Sequence, residues 1–580
     1  MQKFSLLACL LACMMLTGCV SLTVQAEESL IAPMDAGDMF KKRDLSPEWN
    51  SQDAARLSLQ GENVRISQGG VYLLSGTLEN GQVVVDAPKD EKVQLVLMDV
   101  AIHCQESAAI YILQADKVFI TLAPGTENRL SSGETFRQTD ENNVDAPLFS
   151  KADLTLNGEG TLYLSSPGGH GAVCKDTFRV TGGRYIISAA GHGMEGKDSL
   201  RIAGGDFQVT AGKDGLRAEN EEDGTLGFVY IAGGDFRVEA GQDGISASGA
   251  MEITGGRFGM ITGGGSTKGD AHSPGPFGPG GFGGNRGGER GRQPGGWGEH
   301  GAAPATETTG EGQTDTSKKG LKAGGNLLIQ GGQFALDCAD DAIHANLNTQ
   351  VDGGIFTLKT GDDGLHADET LSWRGGELLL ETCYEGLEAL HLIIQGGQIT
   401  LTAEDDGLNA AGGTDQSGFG GAGRRDMFGG RGFGSMNAGN GSIRIVGGTL
   451  QITASGDGID ANGSLQIDDG QITVCGPASG DTASLDYDTT GEINGGIFLA
   501  TGARGMAHSF SGGSQSSLAI QVSNASAGTV ITIQNAAGTT LLSYDAPLAF
   551  GLIIFSSPDI ISGQQYTLQV GNASGTFTAP

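Results

Sequence analysis

Acidic residues recur in step along this sequence. Asp214, Asp243, Asp341, Asp363, Glu385, Asp406 and Asp457 each stand ten residues after the first glycine of a Gly-Gly pair or its equivalent. Three of these positions are doubled, as Asp340-Asp341, Asp362-Asp363 and Asp405-Asp406. If the repeat stacks, the carboxylates form one column on the outer face of a turn. At roughly 4 Å two like charges repel by about 1 kcal/mol in water and about 4 kcal/mol at an effective dielectric of 20, and a column accumulates such terms. Ca²⁺ relieves the repulsion, because it takes six to eight oxygen ligands that adjacent coils would deliver in register. Asp-Gly is also good turn chemistry, with the Asp side chain bonded to its own backbone. That alternative covers Asp214, Asp243 and Asp457 taken singly. It explains less of the doublets, since a turn needs one carboxylate and not two, and there calcium is the expectation.

Other polar residues share the pattern. The run Glu219-Asn220-Glu221-Glu222-Asp223 reads either as a calcium loop, with Asp223 a ligand, or as a solvated one. Three residues past the acidic column lies a second lane, Lys322, His344, His366 and Glu388. It reads as an outward, hydrogen-bonded ladder. The alternative is a transition-metal site or an acid–base pair. Lys319 and Lys322 adjoin the acidic column. They would supply the base if the chain were a lyase, although pairing with Asp341 is the simpler role for Lys319. No Ser-His-Asp order, phosphate loop or zinc-ligand helix is visible.

The elements that position these residues follow from the glycines. Gly-Gly occurs at 182, 204, 233, 255, 331, 353, 375, 396, 447 and 495, with Asp469-Gly470 as a variant, and many successive differences equal 22. After each pair the sequence alternates, as in Phe207-Gln208-Val209-Thr210-Ala211, which is the period of a half-buried strand. A second apolar pair follows the acidic position, as in Leu216/Ala218 and Ile459/Ala461. Interior glycines at this density exclude a helical repeat, each costing about 1 kcal/mol against Ala. The Leu-x-x-Leu-x-Leu run of leucine-rich repeats is absent. A stacked parallel β-helix of about 22 residues per coil remains. Its span is read as 51–510, with Gly-rich insertions at 263–317 and 411–441 expected to be disordered loops. From 511 to 580 the alternation predicts a small antiparallel β domain that caps the stack.

Composition agrees with this reading. Glycine makes up 100 of 580 residues with only 15 prolines, and the net charge is −33, which excludes a nucleic-acid partner. Residues 1–18 read as a signal peptide ending in Leu16-Thr17-Gly18-Cys19, the bacterial lipobox pattern. Cys19 is therefore expected to carry lipid, with residues 19–50 as anchor and linker and the protein outside the cell membrane. Cys104, Cys174, Cys338, Cys383 and Cys475 form no disulfide or zinc pattern.

From Lys42-Arg43-Asp44-Leu45 to its end the chain resembles the bacterial carbohydrate-binding domain family, whose members include a cellulose- and pectin-binding β-helix protein. The resemblance is carried by Gly76-Thr77-Leu78, Ala115-Asp116-Lys117-Val118, Gly125-Thr126-Glu127-Asn128, Phe149-Ser150-Lys151, Val229-Tyr230-Ile231, Gly263-Gly264-Gly265-Ser266, Lys319-Gly320-Leu321-Lys322-Ala323 and the repeated Asp-Gly-Leu/Ile-x-Ala. It implies a right-handed β-helix similar to calcium-dependent pectate lyases, and binding of plant cell-wall polysaccharide. His170-Gly171 and His192-Gly193 depart from the family's Asp-Gly, which puts a cation site on those coils in doubt. The leading expectation is a monomeric protein that binds pectin-like or cellulosic chains with Ca²⁺ as cofactor. A calcium-dependent lyase and a structural surface adhesin are the alternatives.

Overall fold

The structure, a computed structural model, describes residues 29–61, 63–138, 140–269, 317–411, 440–480, 482–505 and 508–580. The segment 1–18 read as a signal peptide, Cys19 and the interiors of both Gly-rich insertions lie outside the described residues. Strand is almost the only regular secondary structure of the described chain, and its main sheet is a parallel β-helix.

Each regular coil supplies three short strands. In one coil these are Thr177–Val180, Arg184–Ala189 and Met194–Gly196. Each pairs in parallel with its counterpart 22 residues on, Phe178 with Leu200, Tyr185 with Phe207 and Met194 with Leu216. The three sets stack into three faces, called first, second and third in chain order. The strand after Gly-Gly lies on the second face and the strand after the acidic position on the third.

Strand alternation places one side of each strand inside. In Asp206–Ala211, Phe207, Val209 and Ala211 are buried while Gln208 and Thr210 are exposed. Identical positions then form ladders. The rings of Tyr185, Phe207, Phe236, Phe258, Phe334 and Phe356 stack at 4.6 to 5.2 Å between neighbouring centroids. The run ends where Leu378 takes the position and Trp373 from the first face packs edge-on against Phe356 at 5.5 Å. The second glycine of each pair turns the corner with φ in the left-handed region, as at Gly205 (140°) and Gly234 (129°).

Both insertions leave at corners without disturbing register. Ile245 pairs with Leu321 across the first, and Leu408 with Ile459 across the second. All five cysteines of the described chain are buried and free. At the C-terminal end, Ile497–Gly502 of the last coil pairs antiparallel with Phe550–Ser556, which pairs with Ser517–Ala525. A separate four-stranded antiparallel sheet follows. The open edge of the stack is thereby covered, as the sequence predicted.

Residues 29–50, read from sequence as part of a linker, pack along the first face. The Ile31 amide donates to Gln350 Oε1 (3.1 Å) and the Met34 amide to Glu252 Oε2 (2.6 Å). Further along, Phe40 meets Tyr230, Asp44 is buried against Lys117 and accepts from Thr155 (2.9 Å), and Arg43 lies over Phe119. This strap runs back along the stack and closes much of the first face.

Candidate functional site

The acidic column sits at the corner leading into the third face, and its register explains the Asp-Gly step. The side chain at this position accepts a hydrogen bond from the backbone amide of the same position one coil on. Asp214 Oδ1 accepts from the Asp243 amide (3.1 Å), Asp243 Oδ1 from Lys319 (2.7 Å) and Asp341 Oδ1 from Asp363 (3.1 Å). Asp406 does the same for Asp457, and Asp457 for Ala483. In the early coils imidazole replaces carboxylate, with His170 Nδ1 accepting from His192 (2.9 Å) and His192 Nδ1 from Asp214 (3.1 Å). On most coils glycine follows, where the next coil's backbone approaches closely, although Ala342 takes this position after Asp341. A Cβ at Gly193 would stand 2.4 Å from the Gly215 carbonyl oxygen, and one at Gly215 2.6 Å from that of Gly244.

Neither lane points out into solvent as the sequence suggested. Asp214, Asp243, Asp341, Asp363, Lys322, His344 and His366 are all buried, and they neutralise one another. Stacked side chains on strands of only three residues cover each other, so polarity there does not report exposure. Asp214 lies between His192 and Arg217. Asp243 accepts from Ser317 (2.7 Å) and faces Lys322 at 3.7 Å. Lys319 Nζ reaches Asp340 (2.9 Å) and Asp341 (2.6 Å), and His344 also faces Asp341 at 2.9 Å. Burial alone would raise Asp341, but Lys319 and the imidazoles hold its carboxyl below the usual range. His366 has carboxylates at both ring nitrogens, Asp363 and Glu388 at Nδ1 and Asp368 at Nε2. Against burial, these acids raise its pKa well above the ordinary imidazole value, which makes it a cation.

Lys319 and Lys322, the sequence's candidate bases, are 2% and 1% exposed and face carboxylates, so neither ammonium is placed to take a proton from an incoming sugar. Asp223 is exposed and caps its own turn, accepting from the Thr225 amide and hydroxyl. Its neighbours Glu219 and Glu222 turn to Arg217 and Lys197, so that run does not converge.

The balance changes further along. Glu385, Asp405, Asp406, Asp457 and Asp460 have no Lys or Arg ion pair among the described residues. Asp406, Asp457 and Asp460 each bring an oxygen within 4.8 Å of the others, and all three are half-buried. Burial, then the neighbouring acids, pushes Asp457 up to about 6 and Asp460 up to about 7, while Glu385 and Asp406 rise well above the usual range. An all-oxygen set of this kind suits a hard cation. Asp460 escaped the sequence reading because it lies in the second lane, where that coil's neighbours are Asn409 and Asp486 and not His or Lys.

A different set, His170, His192 and Glu195, is close enough to hold a metal. Burial and His192 lower the His170 pKa to about 4, so the ring is neutral. Its Nδ1 lone pair is already used by the His192 amide, which leaves the proton on Nε2 and no lone pair for a metal.

The second face is open. Its outward side chains run in register from Arg237 through Gly259, Ala335 and Thr357 to Leu379. The small residues at 259 and 335 sink a groove of about 610 Å³. Exposed Ile261 lies along it, and Arg237, Glu239, Asp337, Lys359 and Glu381 stand around it. Lys359 pairs with Glu381 (3.0 Å) and Arg237 with Asp206 and Asp235, so the rim carries little net charge.

A model of the carbohydrate-binding domain-containing protein family matches residues 60–364 and again 363–546. The chain belongs to that family. A relative of the same description from Acetivibrio thermocellus is 32% identical over 185 residues, covering 31% of this chain and 63% of the relative. This chain thus spans less than two thirds of that relative's length. Among solved structures, a polysaccharide lyase-like protein from C. thermocellum in a gadolinium derivative matches at 31% identity and a TM-score of 0.35, covering 36% of this chain and 91% of that one. The family resemblance read from the sequence and the β-helix it implied are both borne out.

The raised carboxylates make a signed prediction. Asp457 and Asp460 ionise near pH 4 when unfolded and near 6 to 7 when folded. The folded chain binds more protons across that interval, so their contribution to stability is lost as pH rises through it. His170, lowered by burial, acts in the opposite sense, so the comparison is made against a variant. In the absence of divalent cations, the thermal midpoint of the wild type should fall further between pH 5 and pH 8 than that of Asp460→Asn. Equal falls would contradict the assignment.

Proposed function

We propose that this carbohydrate-binding family member holds a linear polysaccharide along its second face, and that acidic chains are held with the help of Ca²⁺ on the third. The observation that carries the reading is that the three faces differ in access. The strap of residues 29–50 covers much of the first, and the third is filled by its own paired side chains over most of its length. The second presents a groove with an aliphatic patch for sugar C–H faces and paired donors and acceptors for hydroxyls. Coils stack about 4.8 Å apart, close to the length of one pyranose unit, so a chain laid along the axis meets one set of side chains per sugar.

Ca²⁺ bound to the acidic stretch would supply positive charge to which uronate groups can bind, reconciling an acidic protein with an acidic polymer. Binding without turnover is favoured over a lyase because Lys319 and Lys322 are spent inside the third face. The Leu16-Thr17-Gly18-Cys19 pattern supports a lipid anchor at Cys19 and a place on the outside of the cell membrane. With Cys19→Ser the protein should leave the membrane fraction, and continued retention there would rule the anchor out.

The groove is open enough to be filled without breaking the fold. A Cβ at Gly259 meets nothing closer than 3.8 Å, and Ala335 already points outward. The pair Gly259→Gln with Ala335→Gln should lower retention on immobilised cellulose and polygalacturonate about tenfold or more while the thermal midpoint is kept. EDTA should abolish retention on polygalacturonate alone, and incubation with pectate should release no unsaturated products. Undiminished retention by the filled groove would sink the second-face reading.

A further inference from the structure

The sequence placed calcium most firmly at Asp340-Asp341 and Asp362-Asp363. Those residues are packed with Lys319 and His366, so protein cations already stand where a metal would. The stretch two coils on is different, and one of its atoms has no place in the hydrogen-bonded scheme. Asn409 is 6% exposed, and its Oδ1 is buried without any partner. Its Nδ2 donates to Glu385 Oε2 in the preceding coil at 2.6 Å. In the following coil the residue in register with Asn409 is Asp460, so the two side chains are neighbours along the stack. A buried carbonyl oxygen left unpaired costs about 1–3 kcal/mol. Here it stands beside three mutually repelling carboxylates.

We propose that Asp406, Asp457, Asp460 and the Asn409 amide oxygen form a single Ca²⁺ site, and that the doublets at 340/341 and 362/363 are not part of it. The donor count fits. One oxygen of Asp406 and one of Asp457 are used by the amides of the next coil, which leaves their other oxygens, both of Asp460 and Oδ1 of Asn409. Those five fall short of the six to eight that Ca²⁺ takes, so the remaining positions are open to water or to an oxygen of a bound sugar. The all-oxygen set and its loose geometry disfavour Mg²⁺, which demands a tight octahedron, and exclude the softer metals that prefer nitrogen or sulfur. The site also accounts for the orphaned amide, since a cation is the partner that an acceptor among acids lacks.

This inference deepens the cation half of the proposed function, and its test is kept apart from that reading by using Ca²⁺ alone. Calorimetric titration of the full chain should show one site of stoichiometry near one. Asn409→Ala and Asp460→Asn should each weaken it about 10–100-fold, the range for loss of one supporting contact at a metal site, while Asp340→Asn leaves it unchanged. Circular dichroism of the Asn409→Ala chain should match the wild type, because that change removes one side-chain bond to Glu385 and leaves the backbone pairing of the coil intact. Absence of Ca²⁺ binding, or binding that responds to Asp340→Asn and not to Asn409→Ala, would overturn the site. A chain that binds Ca²⁺ here yet holds polygalacturonate equally well in EDTA would leave the site standing and sink only the bridging function.

Discussion

The arrangement depends on one hydrogen bond repeated along the stack. At the corner before the third face, the backbone amide of each coil points along the axis, and strand pairing does not satisfy it. A side chain accepts it, because an unpaired buried amide costs about 1–3 kcal/mol. Carboxylate and imidazole of the preceding coil serve in turn, and where Lys319 interrupts the series the Asp341 amide is met by Asp340 of its own coil (3.0 Å). The carboxylates that answer this need bring charge into a buried column. Most of the remaining chemistry of the third face offsets that charge: Arg217 beside Asp214, Lys322 beside Asp243, Lys319 at Asp341, and His366 between Asp363 and Glu388. Structure and the proposed cation binding would therefore share one column. Where protein cations reach it the column is structural, and from Glu385 to Asp460 the uncompensated acids are free to do something else.

The fold was largely legible because its signals are local. Gly-Gly marks a corner that needs a left-handed residue, and the alternation after it marks the second-face strand, so Phe207, Phe236 and Phe334 could be placed inside without a structure. The first-face strand was harder to see, since four residues such as Ser199–Ile202 are too few to show a period. The site was only half legible. The column's register followed from the spacing, but its orientation did not, because polar residues spaced along strands are ordinarily outside. His344 and His366 are buried only because stacked neighbours on adjacent coils cover them, and that is a tertiary fact. Asn409 carries no signal at all in the sequence, as an asparagine after Asp-Gly-Leu reads as one more turn residue. The strap was hidden for a related reason, since Ile31, Phe40 and Asp44 find their partners between about 70 and 320 residues away.

The consequence for function is a division of labour among faces. A solenoid whose coils are tied at one corner can vary its outward residues elsewhere with little penalty, and the second face uses that freedom to lose side chains at Gly259 and Ala335 and open a groove. The insertion at 263–317 leaves from the corner beside it, where the Ser266 amide donates to Asp337 (2.6 Å). The proposed cation and sugar sites would then lie on adjacent faces, with the groove reaching Glu381 and the acidic cluster following it.

Amide hydrogen exchange at Ala483 tests the repeated bond most directly, because its acceptor, Asp457, has no Lys or Arg ion pair among the described residues to complicate a substitution. Exchange should be slow in the wild type and in Asp457→Asn, which keeps an oxygen in place. It should be fast in Asp457→Leu, which does not. The Gly458 amide, which donates to the Ala483 carbonyl oxygen at 2.9 Å, serves as the internal reference. Equal protection of Ala483 in all three chains would contradict the account, since the column would then hold its carboxylates for some reason other than joining the coils.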